Sequence, residues 1–422
     1  MVDAPRAAAY DVLRAVSERD AYANLELPAA LARHGLHGRD AAFVTELVGG
    51  TLRMRGLYDA VLDRVSSRGV SAIDPGVLDA LRLGSHQLLS TRVPSHAAVS
   101  ESVDLIRHRV GHKPVGFANA VLRKVGARDR EEWIADLVDG LGVADARAVR
   151  FSHPRWVVDA LTDVVGEDRI EDMLTADNEP PRVTLVARPG LVDPADLPGT
   201  PGSLSPYARV LEGGSPGEVP AVRDGLAAVQ DEGSQLVAIT AADAPVVGRD
   251  EQWLDLCAGP GGKAALLGAI AAQRGAHVVA NEPQHHRADL VRSSLRALPD
   301  VEVTEHDGRE GPWAAGSFDR VLVDAPCTGL GALRRRPESR WRRRPSDLDA
   351  LVPLQRALLE RALELTRPGG AVTYATCSPH RAETDEVVRA VAAQTGAEVV
   401  SVSRWWPDTD GTDAMFAAVL RP

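Results

Sequence analysis

Cys257, Cys327 and Cys377 are the only three thiols in a chain of 422 residues, and each lies among small and acidic residues. An odd number of cysteines without a Cys-x-x-Cys pair argues against a disulfide framework and a structural zinc site, so no metal is expected. Cys327 stands in Asp324-Ala-Pro-Cys-Thr-Gly-Leu-Gly331, and Cys377 in Ala375-Thr-Cys-Ser-Pro379. Each segment follows a short apolar run that reads as a strand. A strand end exposes a reactive group, whereas a structural cysteine more often fills the middle of a strand. The nucleophile is the thiolate. With an ordinary pKa of about 8.5, an attacking thiol needs local positive potential or a proton acceptor.

A third segment, Asp255-Leu-Cys-Ala-Gly-Pro-Gly-Gly-Lys263, also follows an apolar run. Gly259, Gly261 and Gly262 let backbone approach a ligand closely before a helix begins. The segment is not a P-loop, because Ala264 follows Lys263 where Ser or Thr is needed. Nor does it match Gly-x-Gly-x-x-Gly, since Ala264 falls on the last glycine. Lys263 is one of only three lysines in an arginine-rich chain. Some twenty residues later Glu282 closes another apolar run, where a carboxylate can accept from both hydroxyls of a ribose. Asp307 closes the next and is suited to an adenine amino group. A loop with two acids and no partner for a pyrophosphate describes an adenosine site, and fits S-adenosylmethionine better than a nicotinamide dinucleotide.

Two thiols beside a methyl donor suit one particular problem. Carbon 5 of a pyrimidine is a poor nucleophile, but a thiolate added to carbon 6 makes the ring an enamine whose carbon 5 accepts a methyl group. Loss of the carbon-5 proton and elimination of the thiol complete the reaction. Asp324, protonated or through water, can hydrogen-bond the ring nitrogen or amino group. The base must leave its stack to reach such a site, which favours accessible elements of RNA. Spacing alone does not divide the roles of Cys327 and Cys377.

These residues need a scaffold. From Val229 onward, short apolar runs at 253–257, 277–280, 301–303, 321–323 and 372–374 alternate with helical stretches at 264–272, 286–298, 348–365 and 383–393. This is the rhythm of a doubly wound α/β sheet of Rossmann type, whose ligands bind beyond the carboxyl ends of the strands. A last apolar run, 415–420, is expected to add an edge strand. Residues 1–128 read as an all-α domain of five to seven short helices, one of them opened by Asp74 as N-cap and Pro75. Residues 129–226 read as a small α+β connector with a strand near 182–187, followed by turns and loops rich in Pro and Gly. Residues 227–422 form the α/β domain.

A hydrophobic fraction of 44% with 25% charged residues is ordinary for a globular chain with several cores. No run is long enough to span a membrane, and residues 1–6 do not read as a signal peptide, so a cytoplasmic monomer without a membrane partner is expected. The net charge of -11 is unusual for a nucleic-acid binder, but phosphate contacts depend on local patches. Arg334, Arg335, Arg336, Arg340, Arg342, Arg343 and Arg344 crowd around Trp341 and are expected to face a polyanion.

The three strand-end segments, with Thr376-Cys377-Ser378 followed by Glu383-Thr-Asp-Glu386, resemble the motifs of the RNA (cytosine-5-)-methyltransferase (NOL/NOP/Sun) family. Phe43-Val-Thr-Glu-Leu-Val-Gly-Gly-Thr-Leu52 and Gly116-Phe-Ala-Asn-Ala-Val-Leu-Arg123 resemble a NusB-type RNA-binding domain. The likeness covers nearly the whole chain and is to the 16S rRNA (cytosine-5-)-methyltransferase B type. It implies cofactor contacts from Cys257, Ala258, Gly259, Pro260, Gly261, Gly262 and Lys263, and from Glu282, Asp307 and Asp324. It further implies Cys377 as nucleophile, Cys327 assisting product release, and 16S rRNA as substrate. The same chemistry on tRNA, and a non-catalytic RNA-binding or antitermination factor, are the alternatives. Gly259 and Ala264 depart from the family's usual Ala and Thr, Thr328 replaces Ser, and Thr384-Asp385 stands where Asn-Glu is common. Asp410-Gly-Thr-Asp-Ala-Met-Phe416 keeps only part of the family's Asp-Gly-Phe-Phe pattern.

Overall fold

A computed structural model of the chain describes residues 3–67 and 69–422. The expectation for residues 1–6 therefore includes Met1 and Val2, which lie outside the described residues. The chain forms two compact units, one of Met1–Pro180 with Leu333–Arg343 and the other of Pro181–Ala332 with Arg344–Pro422. Among the described residues no helix is long and apolar enough to cross a membrane.

The first unit is helical. Up to Val125 its described residues form the helices Ala4–Arg19, Ala23–Arg33, Gly38–Arg53, Arg55–Val65, Pro75–Ser90, Ser95–Arg109 and Val115–Val125. The start of Pro75–Ser90 follows from its sequence. The Asp74 side chain accepts from the N–H groups of Gly76 and Val77, and Pro75 needs no partner at that position. Apolar side chains at helical spacing then meet in one core that includes Leu13, Leu47, Leu57, Tyr58, Leu81, Leu105, Ile106 and Leu122. The four helices from Arg130–Val138 to Ile170–Ala176 continue this unit.

The second unit opens with a small antiparallel sheet of β1 (Thr184–Ala187), β2 (Thr200–Pro201), β3 (Ala208–Val210) and β4 (Ala227–Val229), in the order β2-β3-β1-β4. The segment rich in Pro and Gly that reads as loops contributes β2 and β3, both too short for an alternation to be visible.

The larger sheet holds β5 (Gln252–Asp255), β6 (His277–Asn281), β7 (Glu302–Thr304), β8 (Phe318–Asp324), β9 (Thr366–Thr376), β10 (Glu398–Trp405) and β11 (Met415–Arg421), in the order β10-β11-β9-β8-β5-β6-β7. Strands β5 to β9 pair in parallel, whereas β11 runs antiparallel to both β9 and β10. The helices Gly262–Gln273 and Leu348–Leu365 connect successive strands. Apolar clusters built on Leu254, Val321, Leu359 and Tyr374, and on Trp253, Leu266, Val278 and Ala417, bury the strands. The run at 415–420 lies inside the sheet, not at its edge. Its edge neighbour is β10, whose outer positions are exposed, so it lacks the apolar run that marks the other strands.

Candidate active site

Chain order in the sheet reverses at β5. From there β6 and β7 lie on one side, β8 and β9 on the other, which leaves a crevice beyond their carboxyl ends. Residues after β5 turn sharply into the helix Gly262–Gln273. Gly261 has φ of 105°, and a Cβ there would come within 2.6 Å of the Ser294 Cβ. The turn is closed by the Gly261 N–H donating to the Ala258 carbonyl at 2.7 Å and the Ala258 N–H donating to the Asn281 carbonyl at 2.8 Å. Gly259 lies so close to Glu282 that a Cβ would come within 2.1 Å of its Oε2. An Ala at that position would require this carboxylate to shift.

Glu282 is 2% exposed, lies 3.4 Å from the Arg287 guanidinium and accepts from the Gln284 N–H at 3.1 Å. Asp307, after β7, is exposed and forked by Arg309, which holds its carboxyl down at about 2. Asp324 Oδ2 accepts from Lys263 Nζ at 2.8 Å. Burial opposes the charge on Lys263, but Asp324, with help from Cys377 and Asp255, raises the ammonium above its ordinary value. The strand ends thus present backbone uncovered by side chains, a buried acid at the end of β6 and a cation–carboxylate pair between β5 and β8. Two buried oxygens nearby, Gln230 Oε1 and Asp255 Oδ2, have no hydrogen-bond partner among the described residues. This polar cradle of small residues fits a nucleoside with an amino-acid tail.

The two strand-end cysteines come together because β8 and β9 are neighbours in register, with Asp324 opposite Ala375. Their sulfur atoms lie 3.4 Å apart, and both residues are partly exposed. The hydrogen bond to the Cys377 sulfur, then burial, push the Cys327 thiol well above its ordinary value. Cys327 therefore keeps its proton, and either thiol can donate in the contact between the two sulfurs. Cys257 is distinct. Burial, followed by the charges of Asp255 and Asp324, pushes its thiol up.

The arginine run separates into parts. Arg340 is completely buried, and its guanidinium donates to the carbonyls of Arg53, Ser152 and Asp177 and to Asn178 Oδ1. Its expected contact with a polyanion is thus corrected, since its guanidinium is enclosed by protein and spent on these acceptors. Arg342 donates to the carbonyls of Val16, Asp20 and Ala21, and Arg334 is 7% exposed. Arg335 is half-buried. Arg336 is exposed over the Tyr22 ring, and Arg344 is exposed. Trp341 lies where a Cβ on Gly56 would strike its ring.

Three positions carry weight that spacing does not reveal. Asn281 ties the ends of β5, β6 and β7 by donating to the carbonyls of Leu256 and His306 and accepting from Thr304 and the His306 N–H. Asp255 is fully buried, and desolvation, then repulsion from Asp324, raise its carboxyl to about 7. Glu383 lies between the two cysteine loops. The signal for Asn281 and Asp255 is their place at the last residue of a strand, one and two steps before Glu282 and Cys257, the positions that spacing picks out.

Residues 246–421 match the family described as 16S rRNA methyltransferase RsmB/F, and residues 3–127 match the NusB family. A putative methyltransferase of Mycobacterium tuberculosis is 51% identical over the full length of this chain and 97% of its own. The ribosomal RNA small subunit methyltransferase B of Pseudomonas putida is 33% identical, with 93% of this chain and 89% of that protein aligned. The crystal structure of PH0851 superposes with a TM-score of 0.83 over 100% of this chain and 99% of that one; at 20% identity it is a likeness of fold. The second unit has the fold of S-adenosylmethionine-dependent methyltransferases, and the first begins with a NusB domain. Identity carried through both units, in relatives matched almost end to end, makes this chain a member of the RsmB/F family of RNA methyltransferases.

Proposed function

We propose that the chain methylates carbon 5 of a cytosine in 16S rRNA through a transient bond between Cys377 and the base. The observation that carries this reading is the 3.4 Å approach of Cys327 and Cys377 at the ends of adjacent parallel strands, beside the glycine loop. Methylation of an exocyclic amino group or a ribose hydroxyl needs no thiol. Methylation of carbon 5 needs one thiolate to enter and a proton to be handled as it leaves.

Cys257 to Lys263, with Glu282, Asp307 and Asp324, would hold S-adenosylmethionine, and Arg309 would have to release Asp307 for that acid to take part. The cofactor supplies an electrophilic methyl group. Cys377 adds to carbon 6, and the displaced π electrons pass to carbon 5 and the ring. The Asp324 carboxylate, fixed by Lys263, accepts from the exocyclic amino group and orients the base. Once carbon 5 carries the methyl group, transfer of its proton to solvent water as the base restores the double bond and expels Cys377. Cys327, protonated beside it, returns a proton to the departing sulfur.

Incubation with labelled S-adenosylmethionine and undermethylated 16S rRNA, followed by nucleoside mass spectrometry, tests the reading. The expected product is 5-methylcytidine at a single position. A methyl group on nitrogen or ribose would contradict it.

A further inference from the structure

Glu383 is fully buried, and both of its oxygens are filled by donors from the two cysteine loops and the helix beneath them. Oε1 accepts from the Thr328 N–H at 2.8 Å and from Gln355 Nε2 at 3.0 Å. Oε2 accepts from the Ser378 hydroxyl at 2.6 Å and from the Thr328 hydroxyl. Thr328 follows Cys327 and Ser378 follows Cys377, so a single carboxylate binds the neighbours of both sulfurs. Gln355 also donates to the Pro326 carbonyl at 2.8 Å, which holds the Cys327 loop from its other side. Glu383 is itself anchored, its carbonyl accepting from the Tyr374 hydroxyl at 2.7 Å.

A buried carboxylate is costly unless its oxygens are hydrogen-bonded, and a hydrophobic side chain of similar size would fill this volume at lower cost. Packing alone therefore does not account for an acid here. The Thr328 N–H and Gln355 Nε2 are fixed donors that need an acceptor at Oε1, and in this arrangement the two hydroxyls donate to Oε2. We propose that Glu383 is a positioning residue for the reaction, a clamp that sets the separation and orientation of Cys327 and Cys377. The proposal rests on the catalytic reading of the two cysteines given above. Glu383 spends these four hydrogen bonds on atoms other than the two sulfurs. It acts through Thr328 and Ser378, whose backbones carry the thiols.

The distance between the thiols can be read without any methyl transfer. Dibromobimane becomes fluorescent when two nearby thiolates each displace one bromide, and mass spectrometry of the digested protein identifies the bridged pair. In the full chain, Cys327 and Cys377 are expected to bridge rapidly. Glu383→Ala should slow bridging about tenfold or more, since misplacement by about 1 Å can cost a reaction about 100-fold. Its circular dichroism should remain that of the parent. Glu383→Gln should restore bridging to within about threefold, because the amide oxygen can face the Thr328 N–H and Gln355 while both hydroxyls rotate to accept from its NH2. If Glu383→Ala does not fold, Thr328→Val combined with Ser378→Ala should slow bridging in its place. Parental bridging rates in the folded Ala variant, or in the double variant where that is the one that folds, would overturn the clamp. Slow bridging upholds it even if no methyl transfer is detected, an outcome that would count against the catalytic reading alone.

Discussion

The sulfur of Cys327 lies 3.4 Å from the sulfur of Cys377, and this contact, followed by burial, pushes the Cys327 thiol well above its ordinary value. The raised value makes the pair unequal before any substrate arrives, since Cys327 holds its proton. The positive charge of Lys263 reinforces the inequality, since it interacts with Cys377 while paired with Asp324. This inequality fits the division into attacker and helper that the motif implies by resemblance and that is proposed above.

Removing that cation should make Cys377 harder to ionise. Lys263→Met is expected to move the pH midpoint of Cys377 alkylation by iodoacetamide upward by about one unit, as loss of a nearby opposite charge does. Peptide mass spectrometry separates the rate at Cys377 from those at Cys257 and Cys327. An unchanged midpoint would mean that Lys263 serves the cofactor or Asp324 only.

Asp255 ties stability to pH. Burial and Asp324 hold its carboxyl at about 7 against an ordinary 3.8, so between about pH 4 and pH 7 the folded chain keeps a proton that the unfolded chain has released. Stability contributed by that proton is present in full below pH 4, falls by about 1.4 kcal/mol per pH unit as pH rises, and is gone above pH 7. The whole effect is about 4 kcal/mol. Asp255→Asn should flatten this slope, with its largest gain over the parent near pH 8 in urea melts. Parallel curves for the two proteins from pH 5 to pH 8 would refute the raised value.

The arginine run should divide by burial. Arg340→Leu leaves the carbonyls of Arg53, Ser152 and Asp177 without their donor and should destabilise the first unit by about 3 kcal/mol in chemical denaturation. Arg336→Ala with Arg344→Ala should leave stability within about 0.5 kcal/mol. That pair should lower the salt slope of RNA binding by about 0.7 for each single-stranded phosphate that is no longer neutralised. A pair that binds RNA with the parental slope would remove both residues from the interface.

The βαβ rhythm was legible because each buried parallel strand is a short apolar run, and the glycine loop because only glycine permits its turn at Gly261. The helix Leu348–Leu365 was readable from its apolar period alone. What escaped was set by tertiary partners. β10 is half-exposed and alternates weakly, so nothing local distinguishes it from a loop, and without it the run at 415–420 reads as the last strand of the sheet. Arg340 looks, in sequence, like a neighbour of six other surface arginines. Its burial depends on carbonyls contributed by residues 163 to 287 positions earlier. Glu383 reads as one acid in an acidic tract, because its donors come from a helix and two loops that only folding brings together.

The most direct test of the covalent reading is to block release and look for the adduct. Cys327→Ala, incubated with 16S rRNA and S-adenosylmethionine and run on a denaturing gel, should give a slow-migrating RNA–protein band. That band should be absent from the Cys327→Ala, Cys377→Ala double variant. Its persistence in the double variant, or full methyl transfer by Cys377→Ala alone, would contradict Cys377 as the attacking residue.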